Sequence, residues 1–235
     1  MGKQLQKHID SLKQKILFVG TLVEEAVAKA IAALVKRDRN LANAVIDEDD
    51  EIDRMEVDVE EDVVKILAIY QPVAADLRFV VAVLKINNDL ERMGDLARNI
   101  AKRVVFLTSA PRIDLADEFG EMATRVQSMV KQSLDALVSA DPALAQHVCD
   151  LDDEVDELRT TVESQIEQQI EQHPERTEAL LRLMSVARHL ERLADMSTYI
   201  AEEVIYMVRG EIVRHVHAPR HEGESGAAGS GRTPI

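Results

Sequence analysis

The sequence predicts an all-α protein made of two tandem repeated antiparallel three-helix bundles, six long helices in all. Three observations carry that expectation. Gly and Pro number only 9 and 6 in 235 residues, and aromatics make up 3% with no Trp. Such a composition favours long aliphatic helices over a many-turned β fold. Apolar residues then alternate steps of four and three through Phe79, Val83, Ile86, Leu90, Met93, Ala97, Ile100, Val104 and Leu107. That spacing is the seam of a left-handed, coiled-coil-like bundle. The seam returns one hundred residues later as Ala179, Leu183, Val186, Leu190, Leu193, Ser197, Ile200, Val204 and Met207.

Each element has its own signals. The first helix runs from about Lys3 to Lys36, on the row Leu12, Ile16, Val19, Val23, Val27, Ala30 and Leu34. Asp38 or Asn40 can cap the second, which runs to about Tyr70. Gln71-Pro72 ends it, because Pro disfavours helix at the residue before it. The third spans about Ala74 to Leu107 and the fourth about Leu115 to Ser139. Asp141-Pro142 opens the fifth as N-cap and first helical residue. His173-Pro174 separates the fifth from the sixth, which ends near Gly210. The expected domains are 1–110, 111–216 and a disordered tail, 217–235, rich in Gly, Ser, Ala and Pro.

The formal charge of -15 excludes some partners. So acidic a surface repels nucleic acid and anionic lipid, and suits a basic protein or bound cations. No uncharged apolar run reaches the roughly 18 residues of a membrane span, and the N-terminus lacks a signal-peptide core. A cytoplasmic protein is expected, meeting a membrane only through partners. The one cysteine, Cys149, forms no internal disulfide and matches the apolar Ile46, so a buried structural thiol is expected.

The repeat also preserves acids. Glu91-Arg92-Met93-Gly94-Asp95 returns as Glu191-Arg192-Leu193-Ala194-Asp195. Asp49 and Asp53, on the second helix, return as Asp152 and Asp156 on the fifth. In each pair the carboxylates lie one helical turn apart, flanking the apolar seam. Asn87 and Asn99 extend the row of Glu91 and Asp95, and Glu56 and Glu60 that of Asp49 and Asp53. Like charges at this spacing cost a few tenths of a kcal/mol each. A cation between neighbouring helices would remove that repulsion, and oxygen-only ligands suit Mg²⁺, Ca²⁺, Mn²⁺ or oxidised iron. The pattern taken alone fits a solvated charged face better, with Arg92, Arg188 and Arg192 as intrahelical partners, and the duplication of the acids shifts the balance modestly toward a cation. Either way the acids flank the core, so a superficial location is expected. The absence of Glu-x-x-His argues against a buried di-iron centre. His215, His217 and His221, at the edge of the tail, are expected to be solvated. No phosphate-binding loop and no nucleophile beside a base are present, so no enzyme is indicated.

Three stretches taken together resemble the PhoU family of phosphate-transport regulators. They are Gln71-Pro72-Val73-Ala74-Ala75-Asp76-Leu77-Arg78, the duplicated Glu91-to-Asp95 signature with its echo, and Tyr206-Met207-Val208-Arg209-Gly210 followed by Arg214-His215-Val216. The resemblance runs from about His8 to His217. It implies a cytoplasmic adaptor, often a homodimer, that restrains a phosphate ABC transporter when phosphate is plentiful. It implies contact with the transporter's ATPase subunit and with a sensor histidine kinase, holding the starvation response off. It also implies metal ions (iron, manganese, magnesium or zinc, with the identity open) at Asp49, Asp53, Glu91 and Asp95, and at Asp152, Asp156, Glu191 and Asp195, with Glu56 as a further candidate. The halves depart from each other at Ala194 for Gly94 and Tyr199 for Asn99, so unequal sites are expected. The alternative is a metal buffer or a metal-dependent phosphohydrolase, which phosphatase turnover with Mn²⁺ or Mg²⁺ would reveal.

Overall fold

The computed structural model describes residues 2–113 and 116–212. Seven α-helices and one 3₁₀ turn make up these residues: α1 (Gly2–Lys36), α2 (Arg39–Tyr70), α3 (Ala74–Leu107), α4 (Asp117–Ser139), α5 (Pro142–Asp150), α6 (Asp152–Gln172), the turn Pro174–Arg176, and α7 (Thr177–Arg209). The six expected segments are all present, and no strand occurs among the described residues. The fifth segment is divided. At Leu151 the amide bonds back three residues to the Val148 carbonyl, at 3.2 Å, and the α-helical ladder restarts at Asp152. Arg214, His215, Val216, His217, His221, the remainder of 213–235 and Leu115 lie outside the described residues.

Local chemistry sets the ends. Asp38 caps α2 by accepting hydrogen bonds from the Asn40 and Leu41 amides, at 2.9 and 3.1 Å. Asp141 repeats this cap on α5, accepting from Ala143 and Leu144 at 2.8 and 3.2 Å. Each carboxylate satisfies two of the amides left free at a helix start. Arg37 closes the far end of α3, donating to the Leu107 and Ala110 carbonyls at 2.5 and 2.9 Å. α7 ends on Gly210 at φ 75°, where a residue without Cβ enters the left-handed region at no steric cost.

The seam is the core. Val83, Ile86, Leu90, Met93, Ala97 and Ile100 of α3 are fully enclosed, as are Val186, Leu190, Leu193, Ile200 and Val204 of α7. Phe79 at the head of α3 is only partly covered. α1, α2 and α3 pack on one another, α4, α5 and α6 pack on α7, and α3 against α7 joins the halves. One apolar cluster therefore runs through both. α3 and α7 are antiparallel, because Lys85 meets Glu203, Arg103 meets Ser185, and Arg182 stacks over Phe106. Lys85 Nζ stands 3.3 Å from Glu203 Oε1, whose residue is only 3% exposed, so this pair ties the seam together. Cys149 is buried in the core, as expected, and burial pushes its thiol up to about 12.

Candidate metal centre

The acids come together where α2 crosses α3 and where α6 lies along α7. At the first crossing Gly94 faces Ile52: a Cβ there would stand 3.1 and 3.3 Å from Ile52 carbons and 3.7 Å from Asp49 Oδ1. The missing side chain lets α2 approach closely enough to bring Asp49 beside α3. The second half carries Val155 and Ala194 at the matching positions, both buried. One methyl has moved from the α2-type helix to the α3-type helix, so the exchange of Gly94 for Ala194 conserves packing volume.

The first group contains Asp49, Asp53, Glu91 and Asp95. Asp49 is not superficial, as the helical wheel suggested, but 3% exposed. Arg98 explains how it is tolerated. From α3 its Nη1 stands 2.6 Å from Asp49 Oδ2, and its Nη2 donates to Asp95 Oδ1 at 2.5 Å. The contact to Asp49 is an ion pair rather than a well-aligned hydrogen bond. Burial pushes the Asp49 carboxyl up, the Arg98 charge pulls against it, and Asp53 and Asp95 push it further up. Burial also raises Glu91, with Asp95, Asp53 and Glu56 adding repulsion. Glu56 is raised by burial and then by Glu60 and Asp53. Asn87 does not extend the row: buried, it donates to the Glu56 carbonyl at 2.9 Å and so fastens α3 to α2.

The second group contains Asp152, Asp156, Glu191 and Asp195. Thr198 stands where the first half has Arg98, and its single hydroxyl proton is shared between the Ala194 carbonyl at 3.2 Å and Asp152 Oδ1 at 3.3 Å. Burial, then Asp195 and Asp156, push Asp152 up to about 6. Burial, then Glu191 and Asp156, push Asp195 up to about 6 as well. Arg159 lies at the other end of the group, 4.0 Å from both Asp156 and Glu191 and closer to Glu163, at 3.1 Å. Burial raises Glu191, partly offset by Arg159. The break at Leu151 places Asp152 in the first turn of α6, where the helix dipole favours a negative charge.

The expected arginine partners differ from those found. Arg92 lies 3.9 Å from Asp89, and Arg188 pairs with Glu163 at 2.8 Å instead of Glu191. Arg98, Arg159 and Thr198 were not legible as partners, because the contacts that single them out, to Asp49, Glu191 and Asp152, cross between helices. Among the described residues no three Asp, Glu, His or Cys side chains stand in a ready-made ligand geometry. The carboxylates meet as mutually repelling sets of four, without preformed coordination. Beside them a cleft of about 680 Å³ opens between α2, α3 and α7. Glu56, Glu60, Asp89 and Glu202 line it, with Tyr199 and the pair Lys85–Glu203. No helix among the described residues is long and apolar enough to cross a membrane.

The fold matches that of the proteins the chain is similar to. The PhoU domain model matches residues 16–104 and 119–204, once in each half. The phosphate-specific transport system accessory protein PhoU homolog of Aquifex aeolicus is 39% identical over 221 residues, covering 94% of this chain and 100% of that one. The homolog of the same description in Pseudomonas aeruginosa is 35% identical, covering 95% and 93%. The crystal structure of PhoU from Pseudomonas aeruginosa superposes with a TM-score of 0.85 over 88% of this chain and 99% of that one. The phosphate transport system regulatory protein PhoU of Streptococcus pneumoniae superposes with a TM-score of 0.81 at 28% identity, over 89% and 99%. With both halves matched and relatives above 30% identity over nearly their whole length, the chain belongs to the PhoU family.

Proposed function

We propose that this protein is a negative regulator of high-affinity phosphate uptake and of the phosphate-starvation response. It acts in the cytoplasm as an adaptor between a phosphate ABC transporter, through its ATPase subunit, and a sensor histidine kinase. The observation that carries this reading is the family match in both halves together with relatives described as phosphate-transport accessory proteins. The rigid core shared by the two halves supports a docking role, since it presents charged faces at fixed positions. The acidic cleft beside Tyr199 and Glu202 suits a basic segment of a partner. Charge complementarity of this kind sets encounter rate and specificity more than raw affinity. A homodimer is part of the proposal.

The carboxylates tune that face. Oxygen-only donors suit a hard cation, and Asp195 and Asp156 repel Asp152 while Arg192 and Arg159 only partly offset the repulsion felt by Asp195, which fits one. Asp49 and Asp95 hold Arg98 instead. A bound cation would supply positive charge that holds two helices together and makes the surface less negative. No catalytic role is assigned to the chain.

Deleting the gene tests the regulatory reading. Phosphate-starvation genes should be expressed at high phosphate in the deletion strain and silenced again by the wild-type copy. Expression that stays silent in the deletion strain would refute it.

A further inference from the structure

The two carboxylate groups differ by an exchange that the repeat makes visible. Asp49 matches Asp152, and Arg98 matches Thr198. In the first half one guanidinium spans two helices, at 2.6 Å from Asp49 on α2 and 2.5 Å from Asp95 on α3. That is the place a bridging cation would take. In the second half Thr198 offers Asp152 a hydroxyl at 3.3 Å, which brings no charge. Arg159 does not replace it, standing 4.0 Å from Asp156 and Glu191 and engaged by Glu163. A second exchange runs the same way, since Lys102 in the first half matches Glu202 in the second.

We propose that Arg98 is a built-in counter-cation that closes the first carboxylate group to metal, so that any hard cation the chain takes is held by the second half alone. The proposal rests on the metal reading of the carboxylates above. Its physical basis is competition for the same oxygens. Arg98 is tethered beside them, so its effective concentration is high without any binding step. Its planar fork matches two carboxylates at once. Asp49 is 3% exposed, and a Mg²⁺ or Mn²⁺ ion that keeps part of its water shell finds little room beside it. The two halves are thus alike in fold and unlike in what neutralises their acids.

The test counts metal. Purified full-length protein is equilibrated with Mn²⁺, desalted and analysed for bound metal, as wild type, Arg98→Thr and Asp152→Asn/Asp195→Asn. Wild type should hold a single centre, the Asp152→Asn/Asp195→Asn variant should lose it, and Arg98→Thr should double the metal content. Circular dichroism checks that Arg98→Thr folds; if it does not, the Asp152→Asn/Asp195→Asn result on the intact first group still decides. Metal that persists in that variant overturns the proposal and leaves the metal reading standing. Arg98→Thr that folds and gains no metal overturns it as well. A wild type that binds nothing while Arg98→Thr binds one ion leaves the closure by Arg98 intact and refutes the metal reading of the second half. No binding by either protein refutes both.

Discussion

Replacing Arg98 with Thr, the residue at the matching position of the second half, strands a buried charge. Asp49 is 3% exposed and loses a partner at 2.6 Å. Removing one member of a buried pair costs about 3–5 kcal/mol. Two features reduce that figure here. The Arg98 side chain is 30% exposed, so water replaces part of the guanidinium. The Asp49 carboxyl, already pushed up by burial, can take up a proton instead of remaining an unpaired anion. The lost arm to Asp95, whose side chain is 41% exposed, adds about 0.2–1 kcal/mol. The expected net loss is about 2–3 kcal/mol at neutral pH and low metal. Adding Asp49→Asn should return most of it, because the neutral amide no longer needs a counter-charge. Urea unfolding of the wild type, both single variants and the double variant measures this as a coupling energy. Arg98→Thr within about 0.5 kcal/mol of wild type, the range of an ordinary surface substitution, would refute the reasoning, as would a coupling near zero.

Other outcomes follow from the same geometry. Asp152 and Asp195 titrate near 6 in the folded protein, above the ordinary 3.8, so their contribution to stability is present below about pH 4 and is lost as the pH rises through about 6. The full displacement corresponds to about 3 kcal/mol for each, which solvent screening of these half-buried groups reduces to about 1–2 kcal/mol. Thermal unfolding of metal-free Asp152→Asn/Asp195→Asn at pH 5 and pH 8 should therefore show a smaller drop across that window than wild type, and an equal drop contradicts the assignment. Gly94→Ala should destabilise by about 1 kcal/mol, as overpacking against Ile52 outweighs the gain in helix propensity. Ile52→Val should rescue it, because Val155 and Ala194 already combine in the second half; a double variant no more stable than Gly94→Ala would count against this packing. Cys149 should resist iodoacetamide at pH 8 in the folded protein and react on unfolding, given a thiol pushed to about 12 in the core. Equal rates in both states would show that the thiol is accessible.

The fold was legible where periodicity alone decides. The seam of α3 placed Leu90, Met93, Ala97 and Ile100 in the core, and its ends at Ala74 and Leu107 follow from Pro72 and from the last seam residue. The division at Leu151 was not legible, since Asp150-Leu151-Asp152 contains neither Gly nor Pro to announce it. The acids themselves were readable because the repeat keeps them. Their partners were not. Arg92 and Arg98 are both three residues from Asp95, so spacing along one helix cannot choose between them. Asp49 chooses, by standing across the α2–α3 crossing at 2.6 Å from Arg98. The depth of Asp49 was missed for the same reason: a wheel drawn for one helix does not show what the next helix covers.

Phosphate uptake is the most direct test of the regulatory role. Radiolabelled phosphate import is measured at high external phosphate in wild-type cells, in the deletion strain and in the deletion strain carrying the wild-type gene. Import should rise in the deletion strain, through the high-affinity transporter, and return to the wild-type rate on complementation. Import that is unchanged by the deletion, with the transporter present, would contradict the proposed function.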